Sequence, residues 1–330
     1  MTPSSSQSAD SSRLSDNHLD FLVNKACYAK LWGYDFIFNM TPGFSRQELK
    51  KAPWLEFGAW SIVPHIAAQL DTYDWVFYMD TDLFFHDLSR PLESFLTEFK
   101  LFGKNPSIFV PTDHRPSYTF SAYGVMMRNT IFGRQVLQNW YDFALGLCQN
   151  GNFLQTMNDA NQLIYKWYHG DQAGLWYSLL RTHMHIYHPA MENQTIFCNE
   201  TSGFLQTTRF FGAEINSYMK NVAKYKIGSD GVHLREVPDD QEIIWSTPHR
   251  WGGTPIGGLG MQLNWGIEYN NTRQNSAFII HKKSDVPKEA AMEIEICKEK
   301  LGCYAKYDDA GKLHIGCGDV KYRVPMGNWT

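Results

Sequence analysis

Asp80 and Asp82, in the stretch Asp74-Trp75-Val76-Phe77-Tyr78-Met79-Asp80-Thr81-Asp82, are the residues whose type and spacing specify chemistry most directly. Side chains at i and i+2 of an extended segment point to one face, so both carboxylates can reach one cation. Two like charges held that close are costly unless a cation neutralises them. Hard carboxylate oxygens suit magnesium or manganese, and either ion can bridge onward to a substrate diphosphate. Alone, Asp-x-Asp more often marks a solvated turn. Here the apolar run Trp75 to Met79 before it and Leu83-Phe84-Phe85 after it favour the metal reading.

The same two residues admit a second chemistry, a haloacid-dehalogenase-type phosphatase with Asp80 as nucleophile. That motif has Thr or Val two residues after the second Asp, where this chain has Phe84, and it usually opens its domain. The metal reading therefore ranks first.

The elements that position the carboxylates follow from hydrophobic patterning. A five-residue apolar run reads as a strand buried on both faces of a parallel sheet, with Asp80 and Asp82 at its carboxyl edge, where such sheets bind ligands. Ahead of it, Asn17 caps an amphipathic helix that runs to Trp32, with Leu19, Leu22, Val23, Ala26 and Ala29 on one side and Gly33 ending it. Tyr34 to Phe38 reads as a short strand, and Trp54 to Leu70 as a helix bent at Pro64. Beyond the acidic stretch, Pro91 opens a helix to about Phe99. Ser107 to Val110 and Tyr123 to Arg128 read as strands, Ile131 to Cys148 as a helix, Asp171 to Arg181 as another, and His185 to Tyr187 as a strand. Strands alternating with helices imply an α/β fold with a mostly parallel sheet flanked by helices. From about residue 200 the chain is Gly-rich and irregular, with strands expected near Ile243 and from Phe278 to Ile280.

Composition bounds the rest. A chain of 330 residues with 43% apolar content can bury a large core, and the 21 Phe, 17 Tyr and 11 Trp serve mainly to pack it. A formal charge of −4 and a pI near 6.3 exclude a nucleic-acid binder driven by phosphate contacts. Residues 1–17 are Ser-rich and read as a disordered leader. No signal peptide or spanning segment is visible. Five Asn-x-Ser/Thr sequons, at Asn39, Asn193, Asn199, Asn270 and Asn328, together with six cysteines, point to a secretory lumen. Cys27 reads as a buried free thiol. The pairing of the other cysteines is open, and no set of Cys or His has zinc spacing.

Several blocks resemble glycosyltransferase family 34, which holds fungal α-galactosyl and mannan-type transferases and plant xyloglucan xylosyltransferases. They are Asn24-Lys25 with Tyr28-Ala29 and Gly33-Tyr34, then Asp74-Trp75 with Met79-Asp80-Thr81-Asp82. Thr112-Asp113-His114, Tyr123-Gly124 with Met127-Arg128-Asn129, His169-Gly170-Asp171-Gln172 and Ile280-His281 follow in order. The match spans roughly residues 20 to 285. Three departures stand out. Lys282-Lys283-Ser284 follow His281 where the family has a small residue and glycine. Ser121-Ala122-Tyr123 replaces an Asn usually found just ahead of Gly124. Residues 1–17 supply no first strand, which is expected to reflect truncation of the start, with loss of a membrane anchor.

The resemblance implies a GT-A-like domain over residues 18–290, its first strand missing, and a Cys-containing extension over 291–330. It implies transfer of a hexose or pentose from a nucleotide sugar, a UDP-sugar rather than a GDP-sugar, to a glycan or glycoprotein acceptor with retention of configuration. Asp80, Asp82 and His281 would hold Mn²⁺ or Mg²⁺. Asp171 and Gln172 would be catalytic, and Asp113, His114, Gly124 and Lys283 would contact substrate. The setting implied is the Golgi lumen. The alternative to catalysis is a non-catalytic sugar-binding relative that kept the fold.

Overall fold

The computed structural model describes residues 14–39, 43–52, 58–85, 88–94, 107–111, 122–145, 170–187 and 288–318, with Leu55, Pro189 and short strand segments between residues 156 and 281. Helices span Asp16–Trp32 (α1), Arg46–Lys51 (α2), Ile62–Leu70 (α3), Ile131–Ala144 (α4), Gly170–Tyr187 (α5) and Lys288–Leu301 (α6). Strands span Trp75–Met79 (β1), Leu83–Phe85 (β2), Ile108–Pro111 (β3), Gly124–Arg128 (β4), Thr156–Met157 (β5), Leu163–Ile164 (β6), Ile227–Gly228 (β7), Gly231–Val232 (β8), Ile243–Ser246 (β9), Met261–Leu263 (β10), Ile279–His281 (β11), Tyr304–Tyr307 (β12) and Leu313–Gly316 (β13). They fall into two compact units. One gathers Met1–Ile37, Asp80–Pro91 and Gln262–Thr330, and the other Phe38–Met79 and Leu92–Met261.

The second unit holds a sheet of order β1-β4-β3-β9. β4 pairs antiparallel with β1 on one side and β3 on the other, and β3 pairs parallel with β9. The mostly parallel sheet expected from alternating strands and helices is therefore a mixed one among the described residues. A hydrophobic run marks a strand, but not the edge or direction in which the chain pairs with it. β1, expected to be buried on both faces, lies at the edge of this sheet among the described residues, and its five residues are all only half-buried. Ile62, Val63 and Ile66 of α3, Val125 and Met127 of β4, Phe132, Val136, Trp140 and Phe143 of α4, and Leu175 and Leu179 of α5 share one apolar cluster. Gly174 is what lets α5 close on α4: a Cβ there would lie 2.7 Å from the Trp140 ring.

Several boundaries differ from those expected. The helix over Trp54 to Leu70 is a 3₁₀ turn, Gly58–Ser61, followed by α3. Pro64 lies in the first turn of α3, where its missing N–H costs no bond within that helix. Residues 34–38 form no strand among the described residues, although their exposure alternates as an extended chain's does. The strand expected at His185 to Tyr187 is the last turn of α5. The helix opened at Pro91 is described only over residues 92–94, and α4 is described to Ala144 rather than Cys148. α2, missed by periodicity because six residues carry no apolar face, begins with a capping box. Ser45 accepts from the Glu48 N–H, and the Glu48 carboxylate accepts from the Ser45 N–H.

The first unit is built on α1, which starts after Ser15 and ends at Gly33 in the left-handed region, φ 74°. It is not the one-sided amphipathic helix expected. Every residue from Phe21 to Ala29 is buried, because β2, α6, β12 and β13 all pack against it. Cys27 is buried as expected but is not a free thiol: it is disulfide-bonded to Cys297 of α6, 270 residues away. Lys298 of α6 also meets Asp20 of α1 at 2.9 Å. A second disulfide, Cys303–Cys317, closes the β12–β13 hairpin. Of the sequon residues, Asn39 is exposed, and the others lie outside the described residues.

Candidate active site

From Met79 the chain passes into a turn formed by Asp80, Thr81 and Asp82, closed by the Leu83 N–H donating to the Asp80 carbonyl at 3.2 Å, and then into β2. One face of α1 grips this whole segment through its main chain. The Lys25 ammonium donates to the carbonyls of Asp80 at 2.5 Å and Thr81 at 3.1 Å. Asn24 donates to the Phe85 carbonyl at 2.9 Å and accepts from the Phe85 N–H at 2.7 Å, imitating a neighbouring strand with an amide side chain. One turn on, the Tyr28 hydroxyl donates to the Arg90 carbonyl, and Trp32 Nε1 donates to that of Leu88. The spacing 24, 25, 28, 32 is that of one helical face. Stacking reinforces it, with Phe21 on Phe84 and Tyr28 on Phe85 at 3.7 Å between centroids.

Lys25 is only 6% exposed. Burial lowers its pKa to about 8, and the charges of Asp80 and Asp82 oppose that shift. A lysine in such a place stays charged at neutral pH because carboxylates lie nearby and carbonyls accept its hydrogen bonds.

β11 pairs antiparallel with β2, with His281 opposite Leu83, the residue after Asp82. The backbone thus brings His281 to the edge of the acidic turn within the same compact unit. Among the described residues no group of three His, Cys, Asp or Glu side chains gathers as a metal-binding set. The His281 side chain lies outside what is described.

The other expected residues belong to the second unit or lie outside the described residues. Gly124 opens β4, opposite Met79 of β1. Asp171 sits in the first turn of α5, where Trp140 Nε1 donates to its main-chain carbonyl at 2.9 Å. Gln172 follows it on the helix, its side chain undescribed. Asp113, His114 and Lys283 lie outside the described residues. Asn129, from a block quoted above, holds scaffold together: it accepts from Arg134 and donates to the carbonyl of Leu70. Sequence reasoning quoted Asn24, Lys25 and Tyr28 but gave them no role, because a buried polar face on a helix shows no chemistry until its partners are known.

A mixed helix–strand protein with an Asp-x-Asp turn gripped from behind is, in this chain, a glycosyltransferase, passing sugar from a nucleotide donor to a glycan acceptor. Residues 1–194, more than half the chain, match the galactosyl transferase GMA12/MNN10 family, and the chain belongs to it. Membership decides between the transferase and phosphatase readings. The matched span holds Asn24, Lys25, Asp80, Asp82, Asp113, Gly124 and Asp171, whereas His281 and Lys283 lie beyond it. No curated protein matches the chain. No described helix is long and apolar enough to cross a membrane.

Proposed function

We propose that this glycosyltransferase is divalent-metal-dependent and moves a hexose or pentose from a UDP-sugar to a glycan or glycoprotein acceptor with retention. The observation that carries the metal dependence is the Asp80–Asp82 turn, fixed by Lys25 through its main chain, with His281 at the adjoining strand position. Two carboxylates and an imidazole are a donor set that suits Mn²⁺, and the oxygens also suit Mg²⁺. When bound, such an ion stabilises the charge that builds on the departing diphosphate.

The chain's own residues carry the remaining roles. Asp80 and Asp82, with neutral His281 as a third ligand, would hold the ion at the donor's diphosphate. Lys283 neutralises the leaving phosphate as a point charge. Asp171, at a helix start beside Gln172, stabilises the positive charge developing on the sugar or positions the acceptor. Asp113, His114 and Gly124 contact donor sugar or acceptor. The two disulfides support a luminal setting, where oxidation persists, and a Golgi location is proposed on that ground.

The test is nucleotide release from a panel of UDP- and GDP-sugars, with Mn²⁺ or with chelator, on wild type and Asp82→Asn. Release from one UDP-sugar that needs metal and falls at least roughly 100-fold in the variant is expected, since even outer-shell changes cost 10–100-fold. Release that ignores the chelator would refute the metal dependence, and release from a GDP-sugar alone would refute the donor class.

A further inference from the structure

We propose that Lys25 is a positioning residue for the metal site: its buried ammonium sets the conformation of the Asp80–Thr81–Asp82 turn so that both carboxylates are presented together. This rests on the metal-dependent reading given above. Three observations carry it. Lys25 Nζ donates to two successive main-chain carbonyls of the turn itself, those of Asp80 and Thr81. The side chain is buried, so its orientation is fixed by packing rather than by chance contact. Its helix is anchored on both sides of that contact, by the paired Asn24–Phe85 hydrogen bonds before it and by the Cys27–Cys297 disulfide after it.

A turn of three residues with two acidic side chains has many conformations in which the carboxylates splay to escape each other's charge. Tying adjacent carbonyls to one cation removes most of them before metal arrives. The lysine therefore acts on metal affinity in two opposing directions. Its charge competes with the metal for the same carboxylates, and its hydrogen bonds preorganise them. Charge alone predicts that removing it tightens metal binding. Positioning predicts that removing it weakens binding. The sign of the change separates the two.

The experiment measures Mn²⁺ binding by electron paramagnetic resonance of the free ion, with UDP present, on the full chain with its disulfides intact. The variants are Lys25→Met, which keeps length but removes charge and donors, and Lys25→Arg, which keeps charge but replaces the compact three-donor head with a planar fork. Lys298→Met, which removes the partner of Asp20 elsewhere on α1, is the control. The expected result is Mn²⁺ affinity weakened about 10-fold or more in Lys25→Met, the magnitude typical of losing a group that orients metal ligands. Affinity in Lys298→Met should be unchanged. Equal or tighter binding in Lys25→Met overturns the proposal and leaves the metal site intact. Absence of Mn²⁺ binding in wild type overturns both readings together. Should Lys25→Met fail to fold by near-ultraviolet circular dichroism, Lys25→Arg decides: weaker binding at unchanged net charge supports positioning, and unchanged affinity refutes it.

Discussion

Asn24 meets both main-chain groups of Phe85, donating to its carbonyl and accepting from its N–H. Only a carboxamide offers one donor and one acceptor at that separation, and Asn rather than the longer Gln has the reach used here. Replacement by Ala leaves a buried N–H and a buried carbonyl without their partner, each worth about 1–3 kcal/mol when unsatisfied. Asn24→Ala should therefore lower the denaturant midpoint by an amount equal to about 2–4 kcal/mol with the slope unchanged. A loss below 1 kcal/mol would mean that water or a neighbour replaces the amide. At this scale Asp80 and Asp82 stood out as candidates from their type and spacing together with the apolar runs on either side of them. Asn24 and Lys25 were legible only as part of a pattern. Their function consists of contacts with residues 55 to 61 positions away, which no local window contains.

Helix α1 illustrates what an element's sequence records. Its C-terminal end was readable, because Gly33 supplies the left-handed cap, whereas its start was not: the N-cap is Ser15, and the expected cap Asn17 lies inside the first turn. Nor were its surroundings. One apolar side suggested one packed face, whereas the helix is enclosed by β2, α6, β12 and β13 and buries polar residues on its second face. The missed α2 shows the converse. Ser45 and Glu48 spell a capping box, yet six residues without an apolar stripe give periodicity nothing to find. Tyr141 of α4 donates to the same Glu48 carboxylate. The hydrogen bonds from Ser45 and then Tyr141 hold Glu48 below the usual carboxylate range. A carboxylate with a lowered native pKa contributes stability above its unfolded pKa and loses it as pH falls through the native one. Glu48→Ala should thus cost about 1 kcal/mol at pH 7, a typical value for a cap. The gap between variant and wild type should narrow as acid titrates Glu48 below pH 4.5. Thermal melts of both proteins across that range check it, and a gap independent of pH would show that the charge of Glu48 contributes nothing.

At the scale of the whole chain, the Cys27–Cys297 bond ties the helix that grips the acidic turn to a helix 270 residues later. The compact unit that carries Asp80 and Asp82 is thus assembled from early, middle and late segments. Sequence spacing could not reveal that pairing, because six cysteines allow many connectivities and only the fold selects among them. Closing so long a loop is worth about 2–5 kcal/mol. Cys27→Ser/Cys297→Ser should lower the melting temperature by roughly 3–7 °C, and on the proposed metal-dependent reading it should weaken metal binding because α1 loses an anchor. A double variant as stable as wild type would show that packing of α1 and α6 suffices without the bond. The family assignment and the fold were legible to different depths for the same reason. Motif blocks are local and survive as text, whereas strand direction is a property of the return path.

On the proposed function, Asp80 and Asp82 form a divalent-metal site for a nucleotide diphosphate. The most direct measurement is a Mn²⁺ titration followed by electron paramagnetic resonance, with and without UDP, on wild type, Asp80→Asn and Asp82→Asn. Saturable Mn²⁺ binding that UDP strengthens in wild type, and that either substitution weakens at least roughly 10-fold, is the predicted result. Mn²⁺ binding indifferent to both substitutions would contradict the account, since the carboxylates would then hold no metal at all.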